Sequence, residues 1–479
     1  MSLGYFLAWL LPWFAGTGIC LAVGGGVRDR GGLAGAAGSG FLLGLFLAAG
    51  ISCLVASSDT ANAFSRAAPW LAAIAMLAWL AAVVFRGRVF PALLPAPMHM
   101  GRRLIWWILL LAIFLRLDVL FDEALLRPTF PWDAWSAWAV KPKSWFLLGH
   151  HVPYESMQQW LAPSATEIRT AGVWNYPELL AWVQIWFASA AGGWNEPLIN
   201  AAWTGVLGAL GLASYGHWRV LGIRPGLAML LTYGLLSLPL LDAHAALAGY
   251  ADLWLAAVFG MAVLSWLRWL QRREAGQLLL ALVFAGCMPL IKLEGAVWLL
   301  AFSVILVLNL LPRRWRWMLV AVVGGLACIG IALGGFPLPV IGLGWVHMAW
   351  AKVDIPLLGT LDLYWRPVGS EMLSVLFTLP NWHLLWYVLP LVVVLRRRVL
   401  VAERAAGLVG LLLLACASFL FVLFFFTDAS AWAENFTSSN RLILHLVPVV
   451  FSLLALLLAD VRLSGPDRSA RSIAPTAEG

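Results

Sequence analysis

LAGAAGSGFLLGLFLAAGISCLVA, residues 33–56, runs for 24 residues without a charge. As a helix rising 1.5 Å per residue it is about 36 Å long, enough to cross the ~30 Å hydrocarbon layer of a bilayer. It is not isolated: apolar runs of similar character occupy 5–24, 68–85, 295–311, 405–426 and 442–459. Of the 479 residues, 62% are hydrophobic and 11% charged, whereas soluble domains carry roughly 25% charged residues. A water-soluble core cannot absorb that much apolar chain, so the sequence predicts an integral membrane protein. The start, MSLGYFLAWLLPWF, has no basic flank and no small-residue cleavage site after it, and reads as a retained helix rather than a secretory signal. Cys20, Cys53, Cys287, Cys328 and Cys416 all sit inside apolar runs without metal-ligand spacing, so they imply neither disulfides nor zinc. The 29 tryptophans suit membrane interfaces, where an apolar ring and a polar N–H are both served.

The formal net charge of +8 is distributed in clusters. Arginines punctuate alternate loops: Arg28 and Arg30; Arg86, Arg88, Arg102 and Arg103; Arg219 and Arg224; Arg268, Arg272 and Arg273; Arg313, Arg314 and Arg316; Arg396, Arg397, Arg398 and Arg404; and Arg462, Arg468 and Arg471. Placing all of them in the cytoplasm satisfies the positive-inside rule. That side then holds 21 of the 31 basic residues against six acids, and the opposite side nine basic residues against sixteen acids. The basic balance therefore reports orientation in a cytoplasmic (inner) membrane and gives no sign of nucleic-acid binding. The resulting expectation is an all-α, polytopic protein with about thirteen spans, at 5–24, 33–56, 68–85, 104–121, 197–218, 226–241, 252–267, 277–291, 295–311, 317–335, 375–395, 405–426 and 442–460. The apolar segment 177–191 lacks a basic flank and is expected as a juxtamembrane helix at the outer interface. Large outer segments are expected at 122–196 and 335–374, with a disordered cytoplasmic tail over 461–479. By organisation the chain divides into 1–103, 104–312, 313–460 and that tail.

The strongest chemical signal is RPTFPWDAWSAWAVKPKSW, residues 127–145. Asp133 lies among Trp132, Trp135 and Trp138, with Lys141 and Lys143 after it. Flat indoles pack on the C–H faces of a sugar ring while a carboxylate serves its hydroxyls, and lysines suit an anionic group such as phosphate. An interfacial helix with tryptophan anchors and snorkelling lysines accounts for the same pattern. Other candidates are weaker one by one. Asp122 and Glu123 follow the fourth span, and Arg116 with Asp118 lies inside it, where ionisable groups are functional candidates. NYPELLAWVQIW, residues 175–186, brings Tyr176 and Glu178 to the start of a juxtamembrane helix. Asp242, His244, Tyr250 and Asp252 share a short outer hairpin. Their spacing matches no metal motif, so a divalent metal stays an option there and no other cofactor is implied. Lys292 and Glu294 stand between two apolar runs, and Arg441 and His445 share a helical face at the last span.

The order of these signals resembles the membrane glycosyltransferases of the C-type fold, in particular the polyprenyl-phosphate-sugar-dependent group that includes protein mannosyltransferases and aminoarabinose transferases. A span ending in Arg116-Leu117 leads into a long outer loop with Asp133 in an Asp-x-aromatic setting. Tyr176, Pro177 and Leu179 open a juxtamembrane helix, a later hairpin carries Asp252, and a short turn carries Lys292 and Gly295. The likeness covers about 104–312 and the Arg441 region. The chain departs from the pattern in its three preceding spans, in Pro-Glu where Pro-Pro is usual, and in the single acid at Asp133.

The resemblance implies transfer of a sugar from a polyprenyl-phosphate donor to a glycan, lipid or protein acceptor on the periplasmic, extracytoplasmic face, with membrane lipids around it. Asp133 would be the general base. Lys141, Lys143, Lys292, Arg441 and His445 would hold the donor phosphate. Trp132, Trp135, Trp138, Tyr176, Glu178, Asp252 and Glu294 would line the sugar and acceptor site, with Arg116, Asp118, Asp122 and Glu123 as secondary candidates. The competing readings are a flippase or transporter, and a ligase or polymerase, acting on lipid-linked saccharides.

Overall fold

A computed structural model describes residues 2–24, 31–86, 99–163, 166–340, 344–356 and 359–459. The expected tail at 461–479, and the arginines at 28, 30, 88, 462, 468 and 471, lie outside the described residues. The chain forms helices α1 (Leu3–Gly24), α2 (Gly32–Ala56), α3 (Ala63–Arg86) and α4 (Met100–Leu126), then α5 (Val140–Leu148), α6 (Met157–Leu161) and α7 (Leu179–Ala191). Next come α8 (Glu196–Val220), α9 (Pro225–Leu236), α10 (Pro239–Ala246), α11 (Asp252–Arg272), α12 (Ala275–Ile291), α13 (Glu294–Leu310) and α14 (Arg313–Ala332). A sheet follows, β1 (Phe336–Val340), β2 (Gly344–Ala349), β3 (Lys352–Ile355) and β4 (Gly359–Asp362). The remaining helices are α15 (Gly369–Leu373), α16 (Leu385–Leu395), α17 (Arg397–Ala402), α18 (Arg404–Phe426), α19 (Ser430–Glu434), α20 (Ser438–Leu444) and α21 (Val447–Leu458).

Eight helices among the described residues are long and apolar enough to cross a membrane, and the number rises to ten if two bent pairs, α9 with α10 and α20 with α21, each make one span. Thirteen spans were expected. The difference lies in α12 and α13, 17 residues each, and α16, 11 residues, which fall at or below the length that reaches across a bilayer. Apolar side chains exposed along α4, such as Leu104, Ile108, Leu111 and Phe114, form a patch of the kind tolerated against lipid and not in water.

The centre of the bundle is α11. Every side chain from Asp252 to Leu270 is buried, as a helix apolar on all sides requires. It packs against α8, α12 and α21. At 21 residues it is about 30 Å long, with Asp252 at one end and Arg268 and Arg272 towards the other. The arginines at 219, 273 and 404 also sit at helix ends on that second side. Helix α7 is buried from Leu180 to Ala188 against α1, α2, α3, α5 and α8.

The segment after α14, expected as a loop, contains an antiparallel meander in the order β1-β2-β3-β4. Val340 and Val346 bury against Leu293 and Ala296, with Tyr176 beside them, so the sheet lies over the turn between α12 and α13. Pro337 and Pro339 fall in β1, an edge strand whose free side needs no N–H donor.

Candidate functional site

Four separate pieces of chain meet at the Asp252 end of α11. The first is the loop after α4. Asp133 precedes a π-helical turn, Ala134–Trp138, in which the Ala139 N–H donates to the Ala134 carbonyl at 2.8 Å. Single π turns are often found at functional sites. Trp132 and Trp135 flank the carboxylate with ring centres 4.7 Å apart, edge to face, and both are exposed. Gly249 brings the second piece close. Its φ of 117° is one that side chains rarely adopt, and a Cβ there would lie 2.4 Å from the Ala134 Cβ. Only glycine lets the 247–251 segment approach this turn and deliver Tyr250 beside Asp133.

The third piece is the turn from α12 to α13. The Gly295 N–H donates to the Lys292 carbonyl at 2.9 Å, and a Cβ on Gly295 would stand 2.1 Å from the Met288 carbonyl oxygen. The turn is therefore closed over its own helix end and holds Lys292 inward, 3% exposed. The fourth piece is α20, which supplies Arg441 and, at its end, His445.

These side chains form one network. The Asp252 carboxylate is fully buried. Its Oδ1 accepts from Lys292 Nζ at 2.8 Å and lies 3.0 Å from His445 Nε2, and its Oδ2 accepts from Arg441 Nε at 3.1 Å. The Trp298 indole, which can only donate, lies 3.2 Å from His445 Nδ1. Nδ1 is thus the acceptor, and in the neutral ring Nε2 carries the proton that goes to Asp252. Arg441 also donates through Nη1 to Asp133 Oδ2 at 2.5 Å, and its guanidinium lies 4.5 Å from the centre of the Tyr250 ring, a cation–π distance. Lys292 reaches Glu294 at 3.0 Å as well. Burial works against the Lys292 ammonium, but Asp252 and then Glu294 outweigh it and hold its pKa above the ordinary lysine value.

The network is graded in exposure. Asp252, Lys292 and His445 lie within its buried base, whereas the Asp133 side chain is 38% exposed. Burial, reinforced by Glu294, raises the Tyr176 phenol above its usual value, while Lys292 and Arg441 oppose the shift, so Tyr176 feels the same set of charges. Its ring lies 4.9 Å from that of Trp138.

Other sequence candidates stand apart from the network. Lys141 is buried and donates to the carbonyls of Trp174 and Tyr176 at 2.7 and 2.8 Å, with Glu178 4.0 Å away. Its ammonium braces the loop that carries Tyr176. Glu178 also approaches His151 at 3.2 Å. Lys143 pairs with Glu196 at 2.8 Å, and Glu123 with Arg127 at 2.6 Å one helical turn on. Arg116 pairs with Asp242, while Asp118 and Asp122 are exposed. The expected outer hairpin does not close around one point: Asp242 turns to Arg116 and Asp252 to Lys292. No group of three or more His, Cys, Asp and Glu side chains among the described residues could hold a metal ion.

One cavity adjoins the region and a second lies among the spans. The first, of about 440 Å³, is lined by Trp132, Trp135, His244, Leu247 and Tyr250, among others. The other, of about 540 Å³, lies between α1, α2, α4, α8 and α9 and is almost wholly apolar, with Leu117 and Leu236 in its wall. Sequence reasoning missed Trp298, which fixes the His445 tautomer, and the sheet over the Lys292 turn. Alternation in FPLPV and GWVHMA was the available signal for the sheet.

No family model, curated protein or solved structure matches this chain.

Proposed function

We propose that this protein is a membrane glycosyltransferase that moves a sugar from a polyprenyl-phosphate donor to an acceptor hydroxyl, on the outer face of a cytoplasmic membrane. The observation that carries this reading is the bridge from Asp133 through Arg441 to Asp252 and Lys292, beside two exposed tryptophans. An acidic group able to take a proton thus adjoins cations able to take a phosphate. The apolar cavity among the spans supports a donor with a lipid tail. The gathering of these charges at one end of α11, rather than along a path through the bundle, supports an enzyme over a flippase.

In this reaction the acceptor oxygen attacks the anomeric carbon from the face opposite the phosphate. Its proton passes to Asp133, the bond from the anomeric carbon to the phosphate oxygen breaks, and the electron pair leaves on polyprenyl phosphate. The sugar's anomeric configuration inverts. Lys292 and Arg441 stabilise the charge that grows on the leaving phosphate. Arg441 has a double part. In the unliganded geometry it holds Asp133, and a phosphate drawing the guanidinium towards itself would release that carboxylate to act as base. Asp252 is saturated with donors and serves to aim Lys292 and Arg441.

The test is transfer of radiolabelled sugar from polyprenyl phosphates in membranes carrying the protein. Asp133→Asn is expected to lower transfer by about 10²-fold or more, with membrane insertion unchanged. Arg441→Lys should lower it about as far, because an ammonium lacks the fork that spans Asp133 and Asp252. Wild-type rates in Asp133→Asn would refute the assignment.

A further inference from the structure

One buried side chain has no part in the transfer chemistry. His244 on α10 is 5% exposed, and its Nδ1 lies 2.8 Å from the Leu240 carbonyl. A carbonyl only accepts, so Nδ1 carries a proton, and in the neutral ring Nε2 is a lone-pair acceptor. That Nε2 is buried with no hydrogen-bond partner, an arrangement native structures rarely leave unexplained. His244 also lines the cleft of about 440 Å³ shared with Trp132, Trp135, Leu247 and Tyr250, and its ring lies 5.3 Å from that of Tyr250.

The chemistry of this cleft selects its ligand. Four aromatic side chains, Phe130, Trp132, Trp135 and Tyr250, offer flat apolar walls, three of them exposed. His244, which carries the buried and unpartnered acceptor, stands in its wall. The Nε2 lone pair offers an anion no donor. A purely apolar ring would leave that lone pair unanswered. A ring with apolar C–H faces and hydroxyl groups at its edge satisfies both the walls and the acceptor. We propose that the cleft is a saccharide-ring subsite in which a ligand hydroxyl donates to His244 Nε2. This deepens the transferase reading, on which it rests for the presence of a sugar, by naming the residue that selects the ring.

Binding can be measured without transfer. The full-length protein, in a detergent without a sugar headgroup, would be titrated with methyl α-mannopyranoside, methyl β-galactopyranoside and methyl β-arabinopyranoside by saturation-transfer NMR. Methoxycyclohexane would serve as a ring of similar size without hydroxyl groups. Saturable binding of at least one glycoside, and none of methoxycyclohexane, is expected. His244→Phe should weaken it about tenfold, the loss of one hydrogen bond, while His244→Gln, which keeps an acceptor, should bind within a few-fold of wild type. Ala243→Leu, which narrows the cleft and keeps the His244 side chain, should also weaken binding, and it decides the matter if His244→Phe fails to fold. Equal binding of methoxycyclohexane, unchanged binding in His244→Phe or Ala243→Leu, or no glycoside binding at all would overturn the proposal. Glycoside binding by a protein that transfers no sugar would remove the transferase reading and leave this subsite standing. Transfer without glycoside binding would remove the subsite alone.

Discussion

A carboxylate with no exposure to solvent must have its lone pairs answered by donors, and Asp252 has three, from Lys292, His445 and Arg441. Replacing it with asparagine keeps the shape but removes the buried carboxylate that Lys292 and Arg441 share, leaving them only their outer partners, Glu294 and Asp133. Breaking a buried ion pair from one side typically costs about 3–5 kcal/mol. Asp252→Asn is therefore expected to lower the thermal unfolding midpoint clearly, whereas Asp133→Asn, at the exposed edge of the same network, should leave it nearly unchanged. Lys141 provides a pH test. Burial pulls its ammonium below the ordinary lysine value, with Glu178 opposing. Between that lowered value and about 10.4, the unfolded chain binds more protons than the folded one, so stability gains from rising pH in this window. Lys141→Met should remove that gain, seen as a smaller rise in unfolding midpoint as the pH climbs towards about 10.4. The chemical character of Asp133, Lys292 and Arg441 was legible from the sequence. The use of Lys141 as a brace was not, because nothing local reveals that two backbone carbonyls lie within its reach.

At the scale of elements, two turns position the site. The turn from α12 to α13 depends on Gly295 and aims Lys292. Gly295→Ala puts a methyl group against the Met288 carbonyl and should cost about 1–3 kcal/mol through overpacking, with a loss of transfer larger than the loss of folded protein. Unfolding curves and transfer rates on the same samples would separate the two. The π turn after Asp133 matters in the same way. A regular helix over 133–141 would set Asp133 and Lys141 on a shared face. The wider turn precedes α5, and Asp133 meets Arg441 while Lys141 turns to the Tyr176 loop. Helical periodicity could not reveal this, since one inserted residue per turn leaves composition unchanged. The sheet over the Lys292 turn was missed for a different reason: four short strands of four to six residues give a weak alternation beside long apolar runs.

For the whole molecule, charge segregation is the property to test. The site and the described arginine clusters lie towards opposite ends of α11, about 30 Å apart by its length. In a cysteine-free background, Trp132→Cys is expected to react with a membrane-impermeant maleimide added to the outer side, and Arg398→Cys only after the inner side is opened. Labelling of both from one side would overturn the orientation. The first three helices also bear on the site. α2 lies along α8 and α1 against α12, so the residues before α4 share a core with those that carry the chemistry and form one wall of the apolar cavity.

Helical class and helices long and apolar enough to cross a membrane were already written in the chain, because both depend on local quantities, above all the length of an apolar run against the thickness of a bilayer. The number of spans was less legible, since helix ends move with packing and α12, α13 and α16 fall short. The meeting of Asp133 with Arg441, 308 residues apart, was decided only by the tertiary structure. No local pattern encodes that pair. It exists because a fully buried helix sets Asp252 at the centre of the bundle, and a buried charge draws to it whichever cations the surrounding helices can bring within reach.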